Sequence, residues 1–194
     1  QDLRFSRSHW RENYPGACPP GTVYGAGSPT GNVFIEDDTL GLAGTYLVAC
    51  MVRKEIMACT PQAAASAINM GPHRPFISLK KEEKGQFFLP TDVVLGTDGS
   101  LFLSDFYNDT SRVTNQVSGT IYRLTRKGAP ALTRPVVDFT TIEGQLQALQ
   151  NPAINVRSHA AKLLAAGGPP VVPPATAALA AASISCRLLN CMAD

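Results

Sequence analysis

Two stretches of this chain repeat one another, and that repetition restricts the folds open to it. "GTYLVACM", starting at Gly44, parallels "GSLFLSDF", starting at Gly99, and "EIMACT" parallels "TIYRLT" further along. Each unit is a glycine-led apolar strand followed by a partner strand with isoleucine near its start. The spacing from Gly44 to Gly99 is somewhat above the ~40–50 residues per blade of propeller repeats, and long polar excursions account for the excess. Such units suit small antiparallel sheets arranged around a common axis. The expected class is therefore mainly β with a C-terminal α part: a partial β-propeller of about two blades, then a helical hairpin.

Residues 1–31 are punctuated by proline and glycine ("YPGACPPGTVYGAGSPTG") and are expected to be loop. From Asn32 the pattern changes. "NVFIEDD" is a short strand, and "GTYLVACMV" is apolar enough to be buried on both faces. "KEIMACT" is its hairpin partner. "PQAAASAINMGPHRP" is a connection with little pattern, and "FISLKKEEKGQFF" holds a strand and then a charged, solvated turn. "TDVVLG" and "SLFLSDF" flank a turn at Asp98-Gly99, where Gly99 supplies the positive φ and Asp98 tolerates it. After the polar run "YNDTSRVTNQVSG", "TIYRLTRKG" adds one more strand. Residues 32–128 thus form the sheet region.

Beyond Gly128 the period changes to that of helices. Thr140 and Glu143 have capping-box spacing, and Ile142, Leu146 and Leu149 follow at helical intervals. Asn151 can cap a second helix, with Pro152 in its first turn and Val156, Ala160, Leu163 and Leu164 as its apolar stripe. Gly167-Gly168 ends it, so residues 139–168 are expected to be a helical hairpin. "PPVVPP" breaks the chain, and residues 175–190 of the Pro/Ala-rich tail (169–194) are expected to form a third helix.

Composition narrows the function. The formal charge of +2 and the absence of a basic stripe predict no nucleic-acid footprint. No apolar run is long enough to span a bilayer, and no secretory signal opens the polar stretch from Gln1. The five cysteines (Cys18, Cys50, Cys59, Cys186 and Cys191) show neither zinc nor haem-attachment spacing. Cys50 and Cys59 could face each other across a hairpin, but small buried thiols are the simpler expectation. Asn108-Asp109-Thr110 fits the glycosylation triplet, which chance also produces.

The order "WRENYP", "GAGSPTGNVF", "GTYLVAC", "FLPTDVVLGTDGSLFLSDF", "GTIYRLTRKG" resembles the late blades of bacterial propellers related to PQQ-dependent sugar dehydrogenases. It is most similar to the membrane-bound-dehydrogenase group of planctomycete-type bacteria. There the propeller is often followed by HEAT-like helical repeats, and "IEGQLQALQNPAINVRSHAAKLLAAGG" looks like the first of these. The resemblance covers roughly residues 9–168. It implies further blades that this chain does not supply, an early-blade catalytic histidine that it does not contain, and an extracytoplasmic location. Met51 stands where relatives carry an aspartate after the buried strand, whereas the second unit keeps Asp105.

Several residues are candidates for chemistry. Asp105, Asn108 and Asp109 offer oxygen ligands for calcium, or Asp105 accepts backbone N–H bonds while the others face water. His73, beside Arg74 in a loop, is the candidate base or anion contact, set against a surface histidine. His159 and His9 are expected to be solvated and frayed, respectively. Ser28 and Thr30 follow Gly25 and Gly27 in a loop without the lysine and helix of a P-loop, and the resemblance makes that loop a pocket wall. Arg123, Arg126 and Lys127 are expected to form a solvated basic edge.

Two functions compete. In one, the chain is a portion of a PQQ-dependent sugar or alcohol dehydrogenase-like propeller, not catalytic by itself, with PQQ and calcium as the cofactors the resemblance implies. In the other it is a non-catalytic propeller/helical-repeat scaffold or docking subunit. Both need other protein chains or the missing blades as partners.

Overall fold

The computed structural model describes residues 22, 27–64, 67–78, 88–106 and 119–185. Within them lie three antiparallel sheets and three α-helices. The strands are β1 (Pro29–Ile35), β2 (Thr45–Cys50), β3 (Glu55–Cys59), β4 (Gln62–Ala64), β5 (Ala67–Asn69), β6 (Arg74–Ser78), β7 (Pro90–Leu95), β8 (Leu101–Asp105) and β9 (Thr120–Leu124). They form a four-stranded sheet ordered β1-β2-β3-β6, a β4-β5 ribbon and a three-stranded sheet ordered β7-β8-β9.

The two larger sheets are built alike. Each is a meander whose middle strand alternates buried and half-buried residues: Thr45, Leu47 and Ala49 in β2, then Leu101, Leu103 and Asp105 in β8. Each middle strand follows a left-handed glycine, Gly44 at φ 78° and Gly99 at φ 80°, a conformation that side chains with a Cβ resist. Each first strand slips register near its start, at Pro29/Asn32 and at Pro90/Asp92. The repeat seen in the sequence is thus a repeat of geometry. Its register differs by one residue from the match made on the glycines. Thr45 opposes Ile35 as Leu101 opposes Leu95, so the counterpart of Asp105 is Ala49, one residue before the Cys50 of the glycine match and two before Met51. Strand alternation decides this, because a one-residue slip would turn Leu47 out of the core.

Both sheets feed one apolar core. Ile35, Leu47, Ala49, Ile56 and Ala58 cluster with Phe88, Val93, Leu95, Leu101 and Leu103. The first strands meet at this seam, β1 running against β7. At Gly31 the approach is so close that an added Cβ would lie 2.6 Å from the Asp92 Cα.

Several boundaries differ from expectation. β1 begins at Pro29, inside the stretch expected to be loop, because pairing with β2 outweighs the local proline and glycine. The alanine-rich connection after β3 holds the β4-β5 ribbon. At Asp98-Gly99 the Gly96 amide donates to the Ser100 carbonyl at 2.7 Å and the Gly99 amide to the Gly96 carbonyl at 3.1 Å. The loop is therefore one residue longer than a two-residue turn. Gly99 alone takes positive φ, and Asp98 serves by its carboxylate instead. Cys50 and Cys59 are both free and buried, and they sit at opposite ends of the β2-β3 hairpin, where their partners are Glu55 and Tyr46.

The helices are α1 (Ile142–Ala148), α2 (Ile154–Ala166) and α3 (Val172–Ser185), the last preceded by a 3-10 turn at Pro169–Val171. The cap of α1 is Thr141 rather than Thr140, its hydroxyl accepting from the Gly144 amide at 3.1 Å. Thr140 instead bonds the Asp138 carboxylate through both its amide (2.8 Å) and its hydroxyl (2.6 Å). Gly144 and Ala148 are the buried residues of α1, so its packed face is the one that brings small residues close rather than the Ile142/Leu146/Leu149 stripe. In α2, Ala160 and Leu164 of the expected stripe are buried. Asn151 bonds the Ala153 amide at 2.9 Å, just ahead of α2. α3 starts earlier than expected, because Pro173 and Pro174 fall in its first turn, where no amide is required of them.

No single described helix is long and apolar enough to cross a membrane.

Candidate functional site

The start of β1 is the first place to look, because it holds two of the candidate residues. The Ser28 carbonyl accepts from the Met51 amide at 3.1 Å, and its own amide donates to the Cys50 Sγ at 3.4 Å. The Thr30 hydroxyl lies 3.3 Å from the Ala49 carbonyl and 3.1 Å from the Pro90 carbonyl. It has one proton to give, so these two acceptors share it. Thr30 therefore ties β1 to its own sheet and to β7 of the next.

Pro90 leads to the second candidate. It opposes Asp105, which is buried at the end of β8. The Asp105 Oδ1 accepts the Leu89 amide at 2.9 Å, and the Phe106 amide donates to the Leu89 carbonyl at 3.0 Å. The carboxylate thereby fixes the chain where β7 begins. Thr30 and Asp105 thus come to one corner of the seam. Asn108 and Asp109 lie outside the described residues.

His73 and Arg74 are elsewhere. Arg74 opens β6 and opposes Ala58, which opposes Leu47, which opposes Val33. That register places it toward the other end of the sheet from Ser28 and Thr30, three strands away, or roughly 14 Å at ~4.8 Å per strand. The histidine candidate and the hydroxyl candidates are not brought together.

A different polar cluster organises the β7-β8 turn. The Asp98 Oδ1 accepts the Ser100 amide at 2.9 Å and the Ser100 hydroxyl at 2.5 Å, while its Oδ2 accepts from the Arg123 Nη2 at 2.6 Å. The Arg123 Nε donates to the Ser100 Oγ at 3.1 Å. Arg123 is thus engaged with this turn while it remains exposed, as Arg126 and Lys127 do on the expected basic edge. Burial pushes the Asp98 carboxyl up, but the Ser100 hydroxyl and amide and the Arg123 guanidinium outweigh it and hold the pKa below the usual carboxylate range. A depressed folded value stabilises the fold above the ordinary carboxylate pKa, and that stability is lost as pH falls through the lowered one. Asp98→Asn is therefore expected to flatten the slope of stability against pH below about pH 4, measured by urea unfolding across pH 2–6. The Asp138 carboxyl, also lowered by the Thr140 hydroxyl and amide, adds to that slope with the same sign.

Beside this turn lies an open groove of about 650 Å³, lined by Thr39, Asp98, Arg126, Lys127 and the stretch from Gly128 to Thr133. It takes in Arg126 and Lys127 of the expected basic edge, but none of Ser28, Thr30, His73, Arg74 and Asp105. The buried Cys59 thiol is pushed up by burial, as is the Tyr46 phenol opposite it, with Cys59 raising Tyr46 further. A thiol held protonated is a poor nucleophile. His159 is exposed to solvent, as expected, and rests edge-on against Phe139 with ring centroids 4.8 Å apart.

Among the described residues, no group of three or more His, Cys, Asp or Glu side chains is arranged to hold a metal ion. Ser28, Thr30, His73 and Arg74, the donors proposed for a cofactor or for catalysis, do not line the groove. They therefore do not by themselves fit PQQ or calcium, and no reaction step is derived through either. Sequence reasoning missed the Thr30 bridge and the Asp98 hub, because each depends on a partner that is distant in the chain or across the turn.

No family model matches this chain. No curated protein matches it. Among solved structures, an oxidoreductase from Thermus thermophilus, described as a glucose dehydrogenase, is similar at 16% identity and a TM-score of 0.44. The match covers 59% of this chain, which spans 30% of the length of that structure.

Proposed function

We propose that the chain is a portion of a PQQ-dependent sugar/alcohol dehydrogenase-like propeller protein, with no catalysis of its own. One observation carries this: two consecutive meander sheets of matched geometry, joined through their first strands. Left-handed glycines, register slips and the burial of the second strand recur at corresponding ends of the strands, the glycines offset by one residue. Consecutive blades of a radial assembly meet in this way, with the first strand of each nearest the axis. The segments "GAGSPTGNVF" and "FLPTDVVLGTDGSLFLSDF" supply the likeness to the sugar dehydrogenases. On this reading residues 32–128 are about two blades, residues 139–168 a HEAT-like helical hairpin, and residues 169–194 an appended tail. Other chains or further blades complete the ring, outside the cytoplasm. Any calcium would be held near Asp105 with Asn108 and Asp109.

The alternative, a scaffold or docking subunit, draws on the separation of His73 and Arg74 from Ser28 and Thr30. The two roles diverge in a dye-linked assay with an aldose, PQQ and calcium. The isolated chain is expected to give no dye reduction, whereas the assembly purified with its native partners is expected to reduce the dye. An inactive but correctly assembled complex would favour the scaffold. Turnover by the chain alone would contradict both.

A further inference from the structure

The helices and the sheets share very little packed surface. The core cluster contains no helical residue, and no helix makes more than a slight contact with a strand. Polar contacts join the two parts. The Arg157 Nη1 donates to the Asn151 and Pro152 carbonyls at 2.9 and 2.8 Å, while its Nη2 pairs with the Glu36 carboxylate just past β1. The Asn151 Nδ2 donates to the Thr97 carbonyl in the β7-β8 turn at 3.3 Å. Between the two parts, residues 125–139 contain neither strand nor helix, and Val136 is 98% exposed.

We propose that the helical unit is a hinged arm, clasped to the sheets by a polar latch of Arg157, Glu36, Asn151 and Thr97 and swinging on residues 125–139. The guanidinium is pre-ordered from within its own unit by two carbonyls, so latching costs little further side-chain entropy. The Glu36 side chain is 55% exposed, so the charge pair is open to screening. Apolar burial would make the junction permanent. A junction of one exposed ion pair and one hydrogen bond from a side-chain amide can open and close while both parts remain folded.

The test measures the distance between dyes on Val52→Cys and Leu179→Cys, both exposed, in a chain with Cys18, Cys186 and Cys191 changed to serine. Cys50 and Cys59 are buried and stay in place. An exposed pair of this kind supports a roughly 1.5- to 5-fold rise in the long-distance population. That rise is expected for Glu36→Gln at low salt, and for the unaltered latch on going from about 0.05 to 0.5 M NaCl. The variant is expected to respond little to salt. Small-angle scattering on the unlabelled chain gives the same readout if the labelled one does not fold. A single distance distribution, unchanged by the substitution and by salt, would overturn the hinge.

Discussion

Gly31→Ala is expected to destabilise the chain by about 3 kcal/mol, near the top of the range for overpacking a close contact. The added methyl would collide with the Asp92 Oδ1 and sit 2.6 Å from its Cα. The carboxylate can rotate away, but the Cα cannot move without shifting β7. The seam between the sheets must therefore open. Opening it also stretches the Thr30 bridge to the Pro90 carbonyl, at present 3.1 Å. At this chain length the loss corresponds to roughly 6–12 °C in melting temperature. Thermal unfolding followed by circular dichroism checks it, and an unchanged midpoint would mean that β1 and β7 do not approach as described.

The second large effect concerns the core. Leu47→Ala is expected to cost about 2–5 kcal/mol, the range for emptying a buried leucine site. Leu47 is fully buried on β2, in a cluster that reaches Leu101 and Leu103 of the other sheet. Because the cluster is shared, the loss should not be confined to the first sheet. Hydrogen exchange is expected to speed up in β8 as well as in β2 and β3. Exchange that quickens in the first sheet alone would show two independent cores.

Much of this architecture was legible in the sequence. The glycine-led apolar runs at Gly44 and Gly99 announced both middle strands, because a left-handed glycine followed by alternation has few other uses. The helical pattern after Thr140 was equally plain. What escaped was whatever depends on a distant partner. Pro29 and Gly31 look like loop residues until β2 pairs with them and β7 presses against them. Thr30 looks like a pocket hydroxyl until Ala49 and Pro90 are placed beside it. The glycine match also misled by one residue, since equal turns do not guarantee equal register. At the candidate site, Asp105 was readable as a backbone acceptor because a strand-end aspartate commonly plays that role. The separation of His73 from Thr30 was not readable, since strand order rather than sequence sets it.

The β7-β9 sheet presents Val94, Phe102 and Ile121 on the face opposite its core residues, with Val94 and Ile121 exposed. If the two sheets are successive wedges of a larger ring, that face is where the ring continues. An electron cryo-microscopy reconstruction of the assembly purified from its source tests this most directly. The expected result is further antiparallel sheets stacked around one axis, with β1 and β7 innermost and the Ile121 face covered. A two-sheet sandwich standing alone, with that face open to water, would contradict the account.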